Sequence, residues 1–415
     1  MLEVFDNIKK FDPEIYDYIL AEKDRQMDGI ELIPSENLVS PAVLEALGSY
    51  LTNKYSEGYP THRYYGGNEV IDKVEQLAID RLKELFGAEH ANVQPNSGSP
   101  ANMAMYSALL NVGDKAMGLK LTEGGHLTHG HKVNFSGKLY NFVQYGVSKE
   151  TEMLDYDEIR KKVLEEKPKL LLSGYTAYPR SIDFKEFRKI ADEAGCFCVA
   201  DIAHIAGLCA TKVHENPVPY FDVVTTTTHK TLRGPRSAAI MCKKEFAEKI
   251  DKAIFPGLQG GPHEHVIAAK AIAFKEALSP EFKDYANQIV KNAKVLGESL
   301  QSYGYRLVTN GTDNHLLLVD VRKSGISGID AEKALEKAGM YCNKNTIPFE
   351  TGSPWDPSGI RIGTPVLTTR GMKESDMKVV AEFMHNALQN KNDDAKLSEI
   401  KNKVKLFCNN FIFYK

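Results

Sequence analysis

From about Ile71 to Lys244 the chain alternates short β-rich runs with amphipathic segments, and this alternation constrains the fold more than any other feature. The β-rich runs occupy residues 141–147, 170–176, 196–201, 223–228 and 238–242. Between them, residues 71–86, 101–110, 156–166 and 184–194 carry apolar positions at helical spacing. Strands interleaved with helices predict an α/β fold: a mostly parallel sheet covered by helices on its faces.

A chain of 415 residues, 42% hydrophobic, is too long for one ordinary core. The expected division is an N-terminal arm over 1–30, a large domain over 31–284 and a smaller C-terminal α/β domain over 285–415. In the arm, Asp12 followed by Pro13 reads as an N-cap and first helical residue. After the Gly/Pro-rich loop 255–262 a long helical stretch is expected over 266–303, then a strand over 315–322 and a helix over 330–337. The lysine-rich segment 391–405 reads as a solvated helix face. Phe407, Phe411, Phe413 and Tyr414 after it read as a tail that docks on the protein body.

A net charge of −3 gives no field that would attract nucleic acid or an anionic membrane. No apolar run reaches the ~20 residues needed to span a bilayer. The first twenty residues lack a continuous apolar stretch and do not read as a signal peptide. Six cysteines without a CxxC pair point to a reducing, cytoplasmic setting.

Several residues are candidates for chemistry. Ser97-Gly98-Ser99-Pro100 before a helix offers free N–H groups, a positive dipole end and two hydroxyls, which suits a phosphate or an ordinary capped helix start. Walker and GxGxxG patterns are missing, so nucleotide readings have little support. Asp201 closes a strand, where α/β sheets bind ligands; it suits a helix cap or the pairing of a cationic ring nitrogen. Lys230 follows the run Thr225 to Thr228 and His229, with Arg236 nearby. There it is either a surface lysine or an activated amine of the Schiff-base kind. His126, His129 and His131 form H-x2-H-x-H, open to a metal or to stacking on a flat ligand. Arg361 suits two-bond capture of a carboxylate or an exposed turn. Glu57 lies in a tyrosine- and glycine-rich stretch that reads as a binding loop.

The segments ELIPSEN, LTNKYSEGYP, RYYGG, NVQPNSGSPAN, GGHLTHG, VVTTTTHKTLRGPR, FPGLQGGP, GTDNHLLLVD, NKNTIP and SGIRIGTP occur in this order. Together they make the chain resemble the serine hydroxymethyltransferases from about Ile30 to the C-terminus. The resemblance implies a fold-type I pyridoxal phosphate (PLP)-dependent transferase with a seven-stranded, mostly parallel sheet in its large domain. It implies homodimers, or tetramers built as dimers of dimers, with active sites shared between subunits. The implied reaction is the reversible conversion of L-serine and tetrahydrofolate to glycine and 5,10-methylenetetrahydrofolate, through a PLP external aldimine and Cα–Cβ cleavage.

Carried onto this chain, the resemblance makes Lys230 the cofactor lysine and Asp201 the partner of the pyridinium nitrogen. His126 would stack on the ring, with His204 and Thr176 near the cofactor and Thr227 in the catalytic threonine run. Ser97, Gly98, Ser99 and His229 would line the phosphate, joined by Gly260 and Gly261 of a neighbouring subunit. Tyr55 and Tyr65 would also reach across, and Glu57 would handle protons near the substrate. Arg361 and Ser35 would bind the amino acid; Leu121, Gly125, Leu127 and Asn345 would contact folate. No metal is implied. Ser237-Ala238 stand where the family usually has two glycines, Asn96 where it has a histidine or aromatic residue, and Thr176 where serine is frequent. Rival readings are a PLP enzyme of the threonine aldolase or α-methylserine type, a zinc hydrolase on the three histidines, and a non-catalytic binding protein.

Overall fold

The computed structural model describes residues 5–350, 352–353 and 355–414. The chain forms two compact units. One comprises Asn37–Asn287 with Asp313–His315; the other joins the chain up to Glu36, Gln288–Thr312 and the chain from Leu316 onward. The first four residues of the expected arm lie outside the described residues.

The first unit is built on a seven-stranded sheet. Its strands in chain order are β1 (His90–Asn92), β2 (Lys115–Leu119), β3 (Asn141–Tyr145), β4 (Leu170–Ser173), β5 (Phe197–Asp201), β6 (Val223–Thr227) and β7 (Ala238–Cys242). Their spatial order is β1-β7-β6-β5-β4-β2-β3. Only β7 runs against its neighbours, so the sheet is mostly parallel. Strands β4, β6 and β7 are buried throughout, which explains their continuous apolar or β-branched runs. Helices α1 (Glu69–Phe86) and α2 (Gly98–Leu109) pack on the sheet, and α3 (Glu264–Ala277) packs on α1. Met105, Tyr106 and Leu109 of α2 share one core with Leu172, Val199, Val223 and Ile240 of the sheet.

The expected helix over 266–303 is two helices, α3 and α4 (Pro280–Ser302). Pro280 causes the break. Its ring lacks an N–H and is favoured in the first helical turn, so one helix ends and another starts there.

The second unit has a four-stranded antiparallel sheet of β8 (Arg306–Leu307), β9 (Leu316–Asp320), β10 (Asn343–Asn345) and β11 (Gly359–Gly363), in the order β8-β9-β11-β10. The N-terminal helix Pro13–Asp28 belongs to this unit, capped as expected: the Asp12 side chain accepts from the Ile15 N–H at 3.1 Å. Ile30–Glu31 pairs in parallel with Met340–Tyr341. The Arg370 guanidinium then joins both chain ends, donating to the carbonyls of Gln26, Met27 and Gly29 and of Cys408 and Phe411 at 2.6–3.2 Å. The tail docks as its aromatic residues suggest, with Phe407 and Phe411 packed on this unit's core. All six cysteines are free and buried. No helix among the described residues is long and apolar enough to cross a membrane.

Candidate active site

The parallel register sets Asp201, the last residue of β5, beside Thr225 of β6. Asn102 of α2 bridges the two strands. Its amide donates to Asp201 Oδ2 at 2.8 Å, and its carbonyl oxygen accepts from Thr225 Oγ1 at 2.6 Å. His129 Nε2 lies 3.3 Å from the same Oδ2, and the Ala203 N–H donates to Oδ1 at 3.0 Å. Burial alone would push the carboxyl's pKa up. The His129 hydrogen bond, the charges of His129 and His126 and the Asn102 bond overcome it and hold Asp201 well below the usual carboxylate range. Asp201 is therefore an ionised, largely enclosed acceptor at the C-terminal edge of the sheet. Its Oδ1 takes the local Ala203 N–H while Oδ2 serves Asn102 and His129, so the residue is more than a helix cap.

His126 lies 2.7 Å from Thr128 Oγ1, and its ring centre is 5.5 Å from that of His129. The histidine triplet splits: His126, His129 and Asp201 bring one ligand-type atom each within 4.8 Å of one another, and His131 is not in this group.

The Ser97, Gly98 and Ser99 segment is the exposed N-terminus of α2. Ser97 occupies the cap position without spending its side chain on the helix. A Cβ on Gly98 would come within 2.9 Å of Thr227 Cγ2, so glycine lets the helix start sit against the end of β6. Past that end, His229 has a buried Nδ1 without a hydrogen-bond partner in the described residues. Burial, then the charges of Lys230 and Arg236, lower its pKa to about 3, so the ring is neutral at pH 7. Lys230 is half-buried, and its carbonyl accepts from Asn37 Nδ2 at 2.9 Å and from the Arg233 N–H at 3.0 Å. Thr227 Oγ1 points to the Ala203 carbonyl at 3.4 Å, and Thr231 Oγ1 donates to the His204 carbonyl at 2.9 Å. His204 is buried and stacks on His315. The Thr176 N–H donates to the Gly124 carbonyl at 2.8 Å, which ties the 174–176 turn to the segment carrying Leu121, Gly125 and Leu127.

A second group forms around Glu57. Tyr55 Oη donates to Glu57 Oε1 at 3.3 Å, and the Tyr55 and Tyr65 rings meet edge to face at 4.9 Å. A Cβ on Gly260 would lie 3.2 Å from Glu57 Oε1, and one on Gly261 would lie 3.5 Å from the Tyr55 ring. Both tyrosines are exposed. The charge of Glu57, then their hydrogen bond, raises the Tyr55 pKa. Thus five candidates, from two segments nearly two hundred positions apart, come together in one chain.

In the second unit Arg361 sits on β11, opposite Leu318 and Asn343, and is buried. Its Nε donates to Asn343 Oδ1 at 3.0 Å. It is not the exposed turn arginine that its glycine-rich surroundings allowed. Burial lowers its pKa to about 10, which leaves it charged at neutral pH. Asn345 ends β10 opposite Gly359, and Ser35 is half-buried in the segment after Ile30–Glu31.

A family model for serine hydroxymethyltransferase matches residues 8–384. The chain belongs to the serine hydroxymethyltransferase family. Its α/β architecture on a seven-stranded sheet is that of a fold-type I PLP enzyme, and the family is one of PLP-dependent transferases of one-carbon metabolism that use tetrahydrofolate.

The residues of the first unit fit such a cofactor. An exposed helix start with an uncommitted serine suits a phosphate, and His229, two residues past the Thr227 that meets Gly98, has an orphaned Nδ1. The ionised Asp201 suits a protonated ring nitrogen.

Sequence reasoning missed the residues that hold these groups. Arg63 binds Asp72 and Glu75 and also the carbonyls of Ser56 and Gly58, fixing the loop on either side of Glu57. Ser56 Oγ donates to the buried Glu264 at 2.6 Å. A signal for these was available. Glu75 falls on the stripe of Ile71, Ala78 and Leu82, and Lys270 on that of Ile267 and Phe274, each a charge on an otherwise apolar helix face.

Proposed function

We propose that this chain catalyses the reversible transfer of a one-carbon unit from L-serine to tetrahydrofolate, giving glycine and 5,10-methylenetetrahydrofolate. The observation that carries the reading is the ionised Asp201, held by Asn102 and His129 at the edge of the strand next to the one that leads into Lys230. Bound PLP supplies an electron sink for the pair left at Cα when the Cα–Cβ bond breaks.

The chain's residues do the rest. Lys230 would hold the cofactor through its amine. Asp201 keeps a proton on the ring nitrogen, and the charge-assisted bond makes that proton hard to lose. His126 would stack on the cofactor, with His204 and Thr176 among the residues that hold it and Thr227 in the catalytic set. Ser97, Gly98, Ser99 and His229 orient the phosphate. Arg361, with Ser35, captures the substrate carboxylate by two hydrogen bonds. Leu121, Gly125, Leu127 and Asn345 serve the folate.

Glu57, Tyr55, Tyr65, Gly260 and Gly261 form one group with both tyrosines and Gly260 exposed, which suits donation as a unit to the site of a second copy. In that role Glu57 passes a proton to or from the serine hydroxyl, and Gly260 and Gly261 complete the phosphate cradle. The protein then works as a homodimer, alone or paired as a tetramer, in the cytoplasm.

The test is the visible absorption of the purified protein, before and after serine and tetrahydrofolate. A yellow protein is expected, with a spectrum that changes on each addition and with exchange of the glycine α-proton accelerated by folate. Yellow protein without folate dependence would favour a folate-free enzyme acting on other β-hydroxy amino acids. A protein still colourless after added PLP, with metal bound instead, would overturn the proposal in favour of a hydrolase.

A further inference from the structure

Lys270 is 1% exposed, on the face of α3 that also buries Ile267, Ala271 and Phe274. Its Nζ donates to three backbone carbonyls: Val93 at 2.5 Å, Ala238 at 2.8 Å and Pro95 at 3.3 Å. Three acceptors match the three hydrogens of an ammonium group. Burial pulls its pKa down to about 7, against the opposing charges of Glu75 and Glu264. An isolated buried cation is costly, and an apolar side chain on this helix face would fit the core without that cost. What the amine adds is a grip that ties the backbone just past β1 to the first residue of β7.

The same stretch is gripped elsewhere. Ser237 Oγ donates to the Pro95 carbonyl at 3.0 Å, and the Ala238 N–H donates to it at 3.2 Å. Gln259 accepts from the Asn96 N–H at 3.0 Å and donates to the Gln94 carbonyl at 2.9 Å. Every residue from Val93 to Asn96 is thus fixed through its backbone, and Ser97 follows at once. Pro95 contributes a carbonyl bound by three donors, two residues before the exposed serine.

We propose that Lys270 and Ser237 are positioning residues for an anionic group, the phosphate of the cofactor, acting through the Pro95 carbonyl to fix the approach to Ser97, Gly98 and Ser99. This rests on the reading of that segment as the phosphate site. The Ser237 hydroxyl occurs where the family usually has a glycine, so its share of the grip is a feature of this chain.

The experiment compares equilibrium binding of pyridoxal 5′-phosphate with that of pyridoxal, which has the same ring and aldehyde but lacks the phosphate. Both are followed by visible absorbance in the wild-type, S237A and K270M proteins, with thermal midpoints measured alongside. Losing one neutral hydrogen bond predicts about three- to tenfold weaker binding of the phosphorylated ligand to S237A, with pyridoxal unaffected. K270M should show a larger loss with the same selectivity. S237A affinity unchanged for both ligands, or weakened equally for both, overturns the proposal. Should K270M not fold, S237A alone decides it. Wild-type protein that binds neither ligand would instead remove the cofactor reading of the site, an outcome distinct from a failure of selectivity.

Discussion

At the residue scale, the decisive group is a carboxylate kept charged in a largely enclosed place. Replacing Asp201 by Asn keeps the shape and removes the charge. Under the proposed function the bond to the ring nitrogen is worth about 1.5–3 kcal/mol, so kcat/KM for serine cleavage should fall about ten- to a hundredfold. Steady-state kinetics would check it. Glu264 allows a prediction in pH. Burial, then the charge of Glu75, raises its pKa to about 7, above the ordinary carboxylate value of 4.5. The folded protein thus binds its proton more tightly than the unfolded chain, and stability falls as pH rises from about 4.5 through about 7. Glu264→Gln should therefore raise the thermal midpoint at pH 8 and leave it near wild type at pH 5. An equal shift at both values would show that ionisation is not responsible. The placement of Asp201 at the end of a strand and of Lys230 just past one was legible in the sequence, because small or β-branched residues precede each. The role of Asn102 and the pairing of His129 with Asp201 were not, since their partners lie far along the chain and only the fold brings them together.

At the element scale, the turn after β4 is the tightest fit. Gly174 has φ +102°, and a Cβ there would lie 1.9 Å from the Asp201 carbonyl oxygen. Gly174→Ala should destabilise the protein by about 2–4 kcal/mol, through the positive φ and through displacement of β5. Urea unfolding would measure it. Strand β7 was legible to its ends, as was the helix Phe184–Ala194. Strands β1 and β2 were not. The first has only three residues, and the second, KAMGL, lacks the β-branched side chains that mark its neighbours. The break before Pro280 was visible in principle, but apolar periodicity on both sides masked it.

At the scale of the whole molecule, the second unit is assembled from separate stretches of chain. A fragment of residues 285–415 lacks Ile30–Glu31, the partner of Met340–Tyr341, and the three N-terminal carbonyls that Arg370 binds. It should not fold alone, and circular dichroism with thermal melting should show no cooperative transition. Joining residues 1–36 to it should restore one. The antiparallel strand β7 has a further consequence, in time rather than in space. It pairs with β6 across a turn of about ten residues, whereas its other neighbour, β1, lies nearly 150 positions earlier in the chain. Short loops close fastest, so the hairpin that carries Lys230 should be among the first parts of the sheet to gain protection from hydrogen exchange during refolding, before the edge strand that leads to Ser97 has arrived.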